Sequence, residues 1–145
     1  MNNILEKKLL YLKIKKYAEN LEGIQSFKIS FIGDKDFVWF KKQMKIFFKI
    51  EQNNADIILE HDICKKKVIQ VIHNILKTNT GINCIQLFEE KIAVYLNIKN
   101  LDFFLDSVFK YNQCYDLSLL FLEPERIIII NDDEYKIYIH YSINN

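Results

Sequence analysis

The chain has 145 residues, of which 50% are hydrophobic, with 3 Gly and 1 Pro, a composition that indicates one folded domain and excludes a long disordered protein. Its net charge of +1 gives no overall attraction to nucleic acid or anionic lipid, so any electrostatic function requires local segregation of charge. We expect no secretory signal or membrane span, and 3 Cys within apolar patterns indicate buried thiols in a reducing compartment, hence a cytoplasmic protein.

The first half of the sequence predicts three helices that alternate with two strands. The predicted helices cover 3–21, a segment ending near Ile50, and 62–77, and the predicted strands cover 25–32 and 57–59. The second helix is capped by Asp34 or Asp36 and the third by Asp62, because an N-cap aspartate accepts a hydrogen bond from the first turn. Five lysines interspersed along the first helix indicate that one of its sides stays in water.

The second half predicts a hairpin, a fourth helix and a three-strand meander. The hairpin strands cover 83–88 and 91–98, the helix runs from an Asn100 cap to about Tyr111, and the meander covers 115–141. Residues 127–130 are an unbroken apolar run, which is typical of an interior strand covered on both faces. The prediction is one α+β domain over residues 1–145, with a mostly antiparallel sheet whose C-terminal three-strand meander packs against about four helices.

The sequence lacks the parts of the common catalytic sites. The glycines stand alone, so there is no Gly-rich phosphate loop, and Cys64, Cys84 and Cys114 have no metal-type spacing. His140 is the candidate general base of an RNase-like enzyme, which requires a second acid or base within hydrogen-bond reach. Otherwise His140, Tyr138 and Lys136 form the exposed face of a strand. We therefore predict that the protein is not an enzyme and uses no cofactor or metal.

Acidic residues concentrate in the turns and flanks of the predicted sheet. The positions are Glu60 with Asp62, Glu89 with Glu90, Glu123 with Glu125, and Asp132, Asp133 and Glu134. Strand ends that meet in one sheet would place several of these carboxylates on a shared rim, where complementary charge speeds association with a basic partner. Acidic turns are also simply soluble turns, since Asp and Asn favour turns, and the pattern leaves both interpretations open.

A second charge pattern is basic. Lys41, Lys45 and Lys49 recur every four residues on one predicted helix, beside Lys42. Like charges at this spacing destabilise an exposed helix by roughly 0.2–0.5 kcal/mol per pair, which a phosphate-bearing partner would offset. The alternative function is thus a nucleic-acid-binding module that uses this lysine face with Trp39, although the near-neutral net charge argues against direct nucleic acid binding.

The chain closes with a run of strands and an Asp-Asp-Glu-Tyr turn, in the segment CYDLSLLFLEPERIIIINDDEYKIYI. In this ending, and in being short, catalytically empty and rich in Ile, Lys and Asn, it resembles the small immunity proteins of bacterial polymorphic and contact-dependent growth-inhibition toxin systems. The resemblance implies an inhibitor that binds the C-terminal domain of a cognate toxin, often a basic nuclease. The predicted partner-binding residues are Glu89, Glu90, Glu123, Glu125, Asp132, Asp133, Glu134 and Tyr135. Tyr135 is the predicted aromatic anchor among the carboxylates.

Overall fold

The computed structural model describes residues 3–49, 55–77, 82–122 and 124–144. Its helices are α1 (Asn3–Glu19), α2 (Val38–Lys49), α3 (Lys65–Leu76) and α4 (Leu101–Asn112). Its strands are β1 (Ile24–Phe31), β2 (Ile57–Glu60), β3 (Ile82–Phe88), β4 (Ile92–Ile98), β5 (Leu117–Phe121), β6 (Arg126–Asp132) and β7 (Lys136–Ile143). The predicted succession of elements is confirmed, with shifts of a few residues at the helix ends.

The described strands form one sheet in the order β1-β4-β3-β5-β6-β7-β2, and every neighbouring pair is antiparallel. The C-terminal meander β5-β6-β7 is continuous with the β3-β4 hairpin, because β3 pairs with β5. Strands β1 and β2 are the two edges of the sheet. The predicted α+β fold, an antiparallel sheet with a C-terminal three-strand meander, is confirmed.

The core lies on both faces of the sheet, and β6 separates its two parts. Ile128 and Ile130 belong to the larger cluster, which includes the buried residues of α1, α3 and α4. Ile127 and Ile129 belong to the smaller cluster, where Phe40 and Phe47 of α2 cover the sheet. None of the four isoleucines is more than 1% exposed, which confirms the prediction of an interior strand covered on both faces.

The helix starts show where local capping rules succeed and where they fail. Asn100 caps α4 as predicted, since its side-chain oxygen accepts from Phe103 N–H at 3.0 Å. Asp62 does not cap α3, which begins after Cys64 with no side-chain cap hydrogen bond. Asp36 accepts from Gly33 N–H at 2.8 Å instead of capping α2. Asp62 lies two residues before Cys64, the N-cap of α3, and Asp36 lies two residues before Val38, where α2 begins.

The outer face of β7 is also different from the prediction. His140 stacks on Phe47 of α2, with ring centroids 5.4 Å apart, and Tyr138 packs against the same smaller cluster. Only Lys136 of the predicted exposed face is exposed. The alternation along β7 was predicted correctly, but the expectation of an exposed face was wrong, because α2 covers the polar side of the strand.

Gly23 joins α1 to β1 at a point where the chain touches the start of α4. Its φ is +69°, and a Cβ at this position would lie 2.3 Å from the backbone oxygen of Asn100. The carbonyl of Gly23 accepts from the N–H groups of Lys99 and Asn100, both at 2.8 Å. Only glycine satisfies both the left-handed backbone and the close approach.

Candidate partner-binding rim

The acidic turns of the meander lie at opposite ends of the sheet. Phe121 pairs with Arg126 at one end of β6, and Asp132 pairs with Ile137 at its other end. The turn that contains Glu125 therefore lies at the opposite end of the sheet from the β6-β7 turn. We call the end with the Glu125 turn the far end. The two acidic turns of the meander therefore do not share a rim, because successive turns of an antiparallel meander must alternate.

Of the predicted contact residues in the β5-β6 turn, Glu123 lies outside the described residues. Glu125 is exposed at the far end, where its Oε1 accepts from Asn144 Nδ2 at 3.0 Å and its carbonyl accepts from Asn144 N–H at 2.9 Å. Glu125 therefore ties the C-terminal segment to the turn and does not join the other acidic residues.

The remaining acidic turns do share one end of the sheet. The β3-β4 turn and the β6-β7 turn lie on the same side, since β3 runs antiparallel to β5 and β5 to β6. About three strand spacings, or 14 Å, separate the two turns. Glu60 joins them from β2, where it pairs with Lys136. We call these exposed residues the acidic rim: Glu60, Glu89, Glu90, Asp133, Glu134 and Tyr135.

Glu89 and Glu90 occupy a backbone conformation that disfavours them. Their φ angles are 52° and 55°, and Lys91 N–H donates to the carbonyl of Phe88 at 3.0 Å, which together describe a type I′ hairpin turn. Asn-Gly is the favoured pair in such turns, and a residue with a Cβ in the left-handed region costs about 1–2 kcal/mol. Glu134, in the β6-β7 turn, has a φ of 75°. Three glutamates of the acidic rim thus hold a conformation that glycine or asparagine adopts more readily.

Asp132 has a different role from the one predicted. Its side chain is only 3% exposed, and its carboxylate accepts from the N–H groups of Tyr115 and Glu134, each at 3.0 Å. His61 Nε2 lies 2.9 Å from the same carboxylate. Asp132 therefore organises the turn and the neighbouring loops and presents no charge to a partner.

Asp133 and Tyr135 lie side by side in the β6-β7 turn of the rim. Asp133 Oδ1 accepts from the N–H groups of Tyr135 and Lys136, at 2.9 and 2.7 Å. These backbone hydrogen bonds hold the pKa of Asp133 below its ordinary value, since they favour the charged carboxylate. Tyr135 is 80% exposed. The turn thus fixes an ionised carboxylate beside a fully presented aromatic ring.

The protein's own lysines neutralise part of the acidic rim. Lys45 of α2 lies 3.6 Å from Glu90, and Lys136 lies 3.9 Å from Glu60. All four side chains are about half exposed or more, and ion pairs of this kind contribute about 0–1 kcal/mol, so a partner can displace them. Within the described ranges, no lysine or arginine forms an ion pair with Asp133 or Glu134.

The lysine face of α2 lies next to the rim and is mixed in charge. Lys41, Lys42 and Lys45 line a shallow groove together with Asp34 and Glu90. Lys41 Nζ also donates to the carbonyl of Gly33 at 2.9 Å. The side chain of Lys49 lies outside the described part of the structure. The carboxylates lower the positive potential of the groove. They therefore oppose the binding of the phosphate groups of nucleic acid.

Trp39 and His140 both pack against other side chains. They are the other residues considered for nucleic-acid binding or RNase chemistry. Trp39 is half-buried against the smaller core cluster, which leaves less of its ring for base stacking. His140 Nδ1 lies 3.1 Å from Asp56 Oδ2, and that oxygen accepts from Tyr141 N–H at 2.8 Å. An acid therefore lies near His140, but the imidazole is stacked on Phe47 and the carboxylate oxygen is engaged by backbone.

The three cysteines have different environments. Cys84 is buried, and this burial raises the pKa of its thiol. Cys114 is partly exposed, and burial is again the main cause of its raised pKa. Cys64 is exposed, so the expectation of buried thiols holds for Cys84 alone. In the described part of the chain, no group of three or more His, Cys, Asp and Glu side chains is placed to hold a metal ion.

Comparisons with known proteins assign the chain to no family. No family model, curated protein or solved structure matches it. The helices of the described ranges are too short or too polar to cross a membrane.

Proposed function

We propose that the protein is an inhibitory binding protein of the immunity type, and that its acidic rim binds a cationic surface of a toxin domain, most simply a nuclease. The observation that carries this proposal is the grouping of five exposed carboxylates with the 80%-exposed Tyr135 at one end of the sheet. Three of these carboxylates belong to glutamates with left-handed φ angles, a conformation that Asn or Gly adopts at lower cost. Phe37, Lys77 and Gln113 are left-handed as well, so the grouping of charge, and not the backbone, distinguishes the rim.

The chemistry of the rim fits a basic partner. Charged groups that face each other across an interface accelerate association and select partners more than they raise affinity. Nuclease sites that hold RNA or DNA are lined by Lys and Arg, and carboxylates spread over about 14 Å match several phosphate positions. Tyr135 supplies the apolar contact area that such an interface needs near its centre, in the manner of an aromatic hot spot.

The decisive experiment measures binding to the product of the adjacent upstream gene by titration calorimetry. The test variant reverses three charges, Glu89→Lys, Glu90→Lys and Glu134→Lys, and the matched control reverses Glu125 at the far end. We expect the triple variant to weaken binding about a hundredfold or more, since several complementary pairs are lost. We expect Glu125→Lys to leave affinity within about twofold, because isolated exposed charges contribute little.

Two results would overturn the proposal. One is an upstream gene that encodes no toxin domain together with no inhibition of any co-expressed nuclease. The other is unchanged binding by the triple variant while its thermal unfolding remains normal. Tight binding of RNA by the wild-type chain at low salt, lost on Lys42→Glu, would instead favour the alternative of a nucleic-acid-binding module.

A further inference from the structure

Helix α1 carries apolar side chains on two opposite sides. The residues buried on its inner side are Ile14, Tyr17 and Ala18. On its outer side, Leu5, Leu9 and Leu12 are 56%, 58% and 59% exposed. The leucines add nothing to the core, and exposed leucines grouped on one face are uncommon on a surface that binds no partner.

The outer leucines form a narrow seam. Their spacing of four and then three residues places them within an arc of about 60° on the helix. Ile4, which is 70% exposed, lies outside this arc, beyond Lys8 and Lys15. A helix that packs on a globular core has an apolar arc of about 100° or more, whereas a coiled-coil seam is narrower and repeats at four and three residues. The seam therefore has the geometry of a surface that packs against one other helix.

Lysines border this seam. Helical spacing puts Lys8 and Lys15 along one side of it, Lys13 with Glu6 along the other, and Lys16 one turn beyond Leu12. In the ranges that the structure describes, no carboxylate forms an ion pair with these four lysines. Charged pairs along the borders of a helix-helix seam select the partner. The lysines therefore favour a partner helix with Asp and Glu at the facing positions.

We infer that the outer face of α1 docks an amphipathic helix of another protein, with apolar residues at the same spacing and acidic residues along both borders. A second copy of this chain fits poorly, because its own lysines would face those of the first. A membrane surface also fits poorly, because interfacial helices bury a broad apolar face. The first turns of α1 lie beside Glu89 of the acidic rim, where Glu6 and Lys7 line a cavity with it, but the two surfaces attract partners of opposite charge.

The test uses the full chain and a synthetic helix of about three heptads, with Leu at a and d and Glu at e and g. Binding is measured by fluorescence anisotropy of the labelled peptide, and a second peptide has Lys in place of every Glu. We expect the acidic peptide to bind at least about tenfold more tightly than the lysine peptide, and binding to weaken as salt screens the borders.

A triple variant, Leu5→Gln, Leu9→Gln and Leu12→Gln, identifies the surface. These side chains lie outside the core, so unfolding should change little, and acidic-peptide affinity should fall about tenfold. The matched control is Phe103→Gln on α4, where the ring is 61% exposed and binding should not change.

Three outcomes would overturn the inference. The first is equal affinity for the two peptides, or no loss of affinity in the triple variant. The second is a wild-type dimer in sedimentation equilibrium that the triple variant dissociates, which would assign the seam to self-association. The third is binding to vesicles rich in phosphatidylserine without binding to the acidic peptide, which would assign it to a lipid surface.

Discussion

The two ends of the sheet contain left-handed backbone for opposite reasons. At the far end, Gly23 has a φ of +69° and its missing Cβ lets the chain touch Asn100. At the acidic rim, Glu89, Glu90 and Glu134 hold φ angles of 52°, 55° and 75° in exposed turns. Packing requires glycine at the far end. No packing requires glutamate at the rim, so these three positions accept Asn or Gly without a clash, whereas Gly23 accepts no residue that has a Cβ.

The largest effect on stability is expected for Gly23→Ala, which tests whether packing at the far end requires glycine. A left-handed alanine costs about 1–2 kcal/mol, and the clash with backbone adds about 1–3 kcal/mol. We expect the free energy of unfolding in urea to fall by about 3 kcal/mol or more. Gly33→Ala is the control, because a Cβ there comes no closer than 3.9 Å to its nearest neighbour. Equal stability of the two variants would contradict the structural role of Gly23.

Asp132→Ala comes next and tests the buried carboxylate beneath the β6-β7 turn. Removing it leaves the part-buried N–H of Tyr115 without its acceptor, and a buried unsatisfied donor costs about 1–3 kcal/mol. We expect the urea midpoint to fall accordingly, with partner binding reduced only as far as the β6-β7 turn moves. Glu125→Ala, at an exposed position, is the control. An equally small fall of the urea midpoint in both variants would show that Asp132 does not organise the turn.

The double substitution Glu89→Asn and Glu90→Gly tests whether these two glutamates contribute to partner binding. Asn-Gly is the favoured type I′ pair, so we expect unfolding free energy to rise by about 1–2 kcal/mol while affinity for the basic partner falls. Gln113→Gly is a matched control, since Gln113 has a φ of 57° at the end of α4. That variant should gain stability without losing affinity. Unchanged affinity in the double variant would remove these glutamates from the interface.

The smallest effect concerns pH. The N–H groups of Lys136 and Tyr135 lower the pKa of Asp133 in the folded protein. A folded pKa below the unfolded one stabilises the protein above the ordinary carboxyl pKa, and this stabilisation is lost as pH falls through the lowered value. Asp133→Asn should therefore destabilise slightly at neutral pH and converge with wild type at strongly acidic pH. Urea midpoints measured at several pH values check this, and a difference that grows on acidification would contradict it.

Much of the fold was predictable from local patterns. The unbroken run 127–130 predicted a strand covered on both faces, and Asn100 before an apolar helix predicted its cap. These features depend on residues close in the chain. The alternation of the meander turns between opposite ends was also predictable, since it follows from three antiparallel strands joined in succession. Several acidic turns were expected on one rim, and this constraint excludes the Glu125 turn from the group that contains the β6-β7 turn.

The acidic rim itself was only partly predictable. Composition indicated charged turns at Glu89, Glu90, Asp133 and Glu134, with Tyr135 beside them. The left-handed φ angles had no sequence signal, because glutamate predicts neither a type I′ turn nor an αL residue. The burial of Asp132 depends on His61 and Tyr115, which come from loops distant in the chain and reach it only in the folded state.

By itself the sequence determined the succession of helices and strands and the interior position of β6, because hydrophobic periodicity reports on which side chains must leave water. Tertiary structure decided the rest: β3 pairs with β5, α2 covers His140, and α1 is left with an unpartnered outer seam. Those outcomes depend on which elements compete for the same apolar surface, and that competition is settled only when all of them pack together.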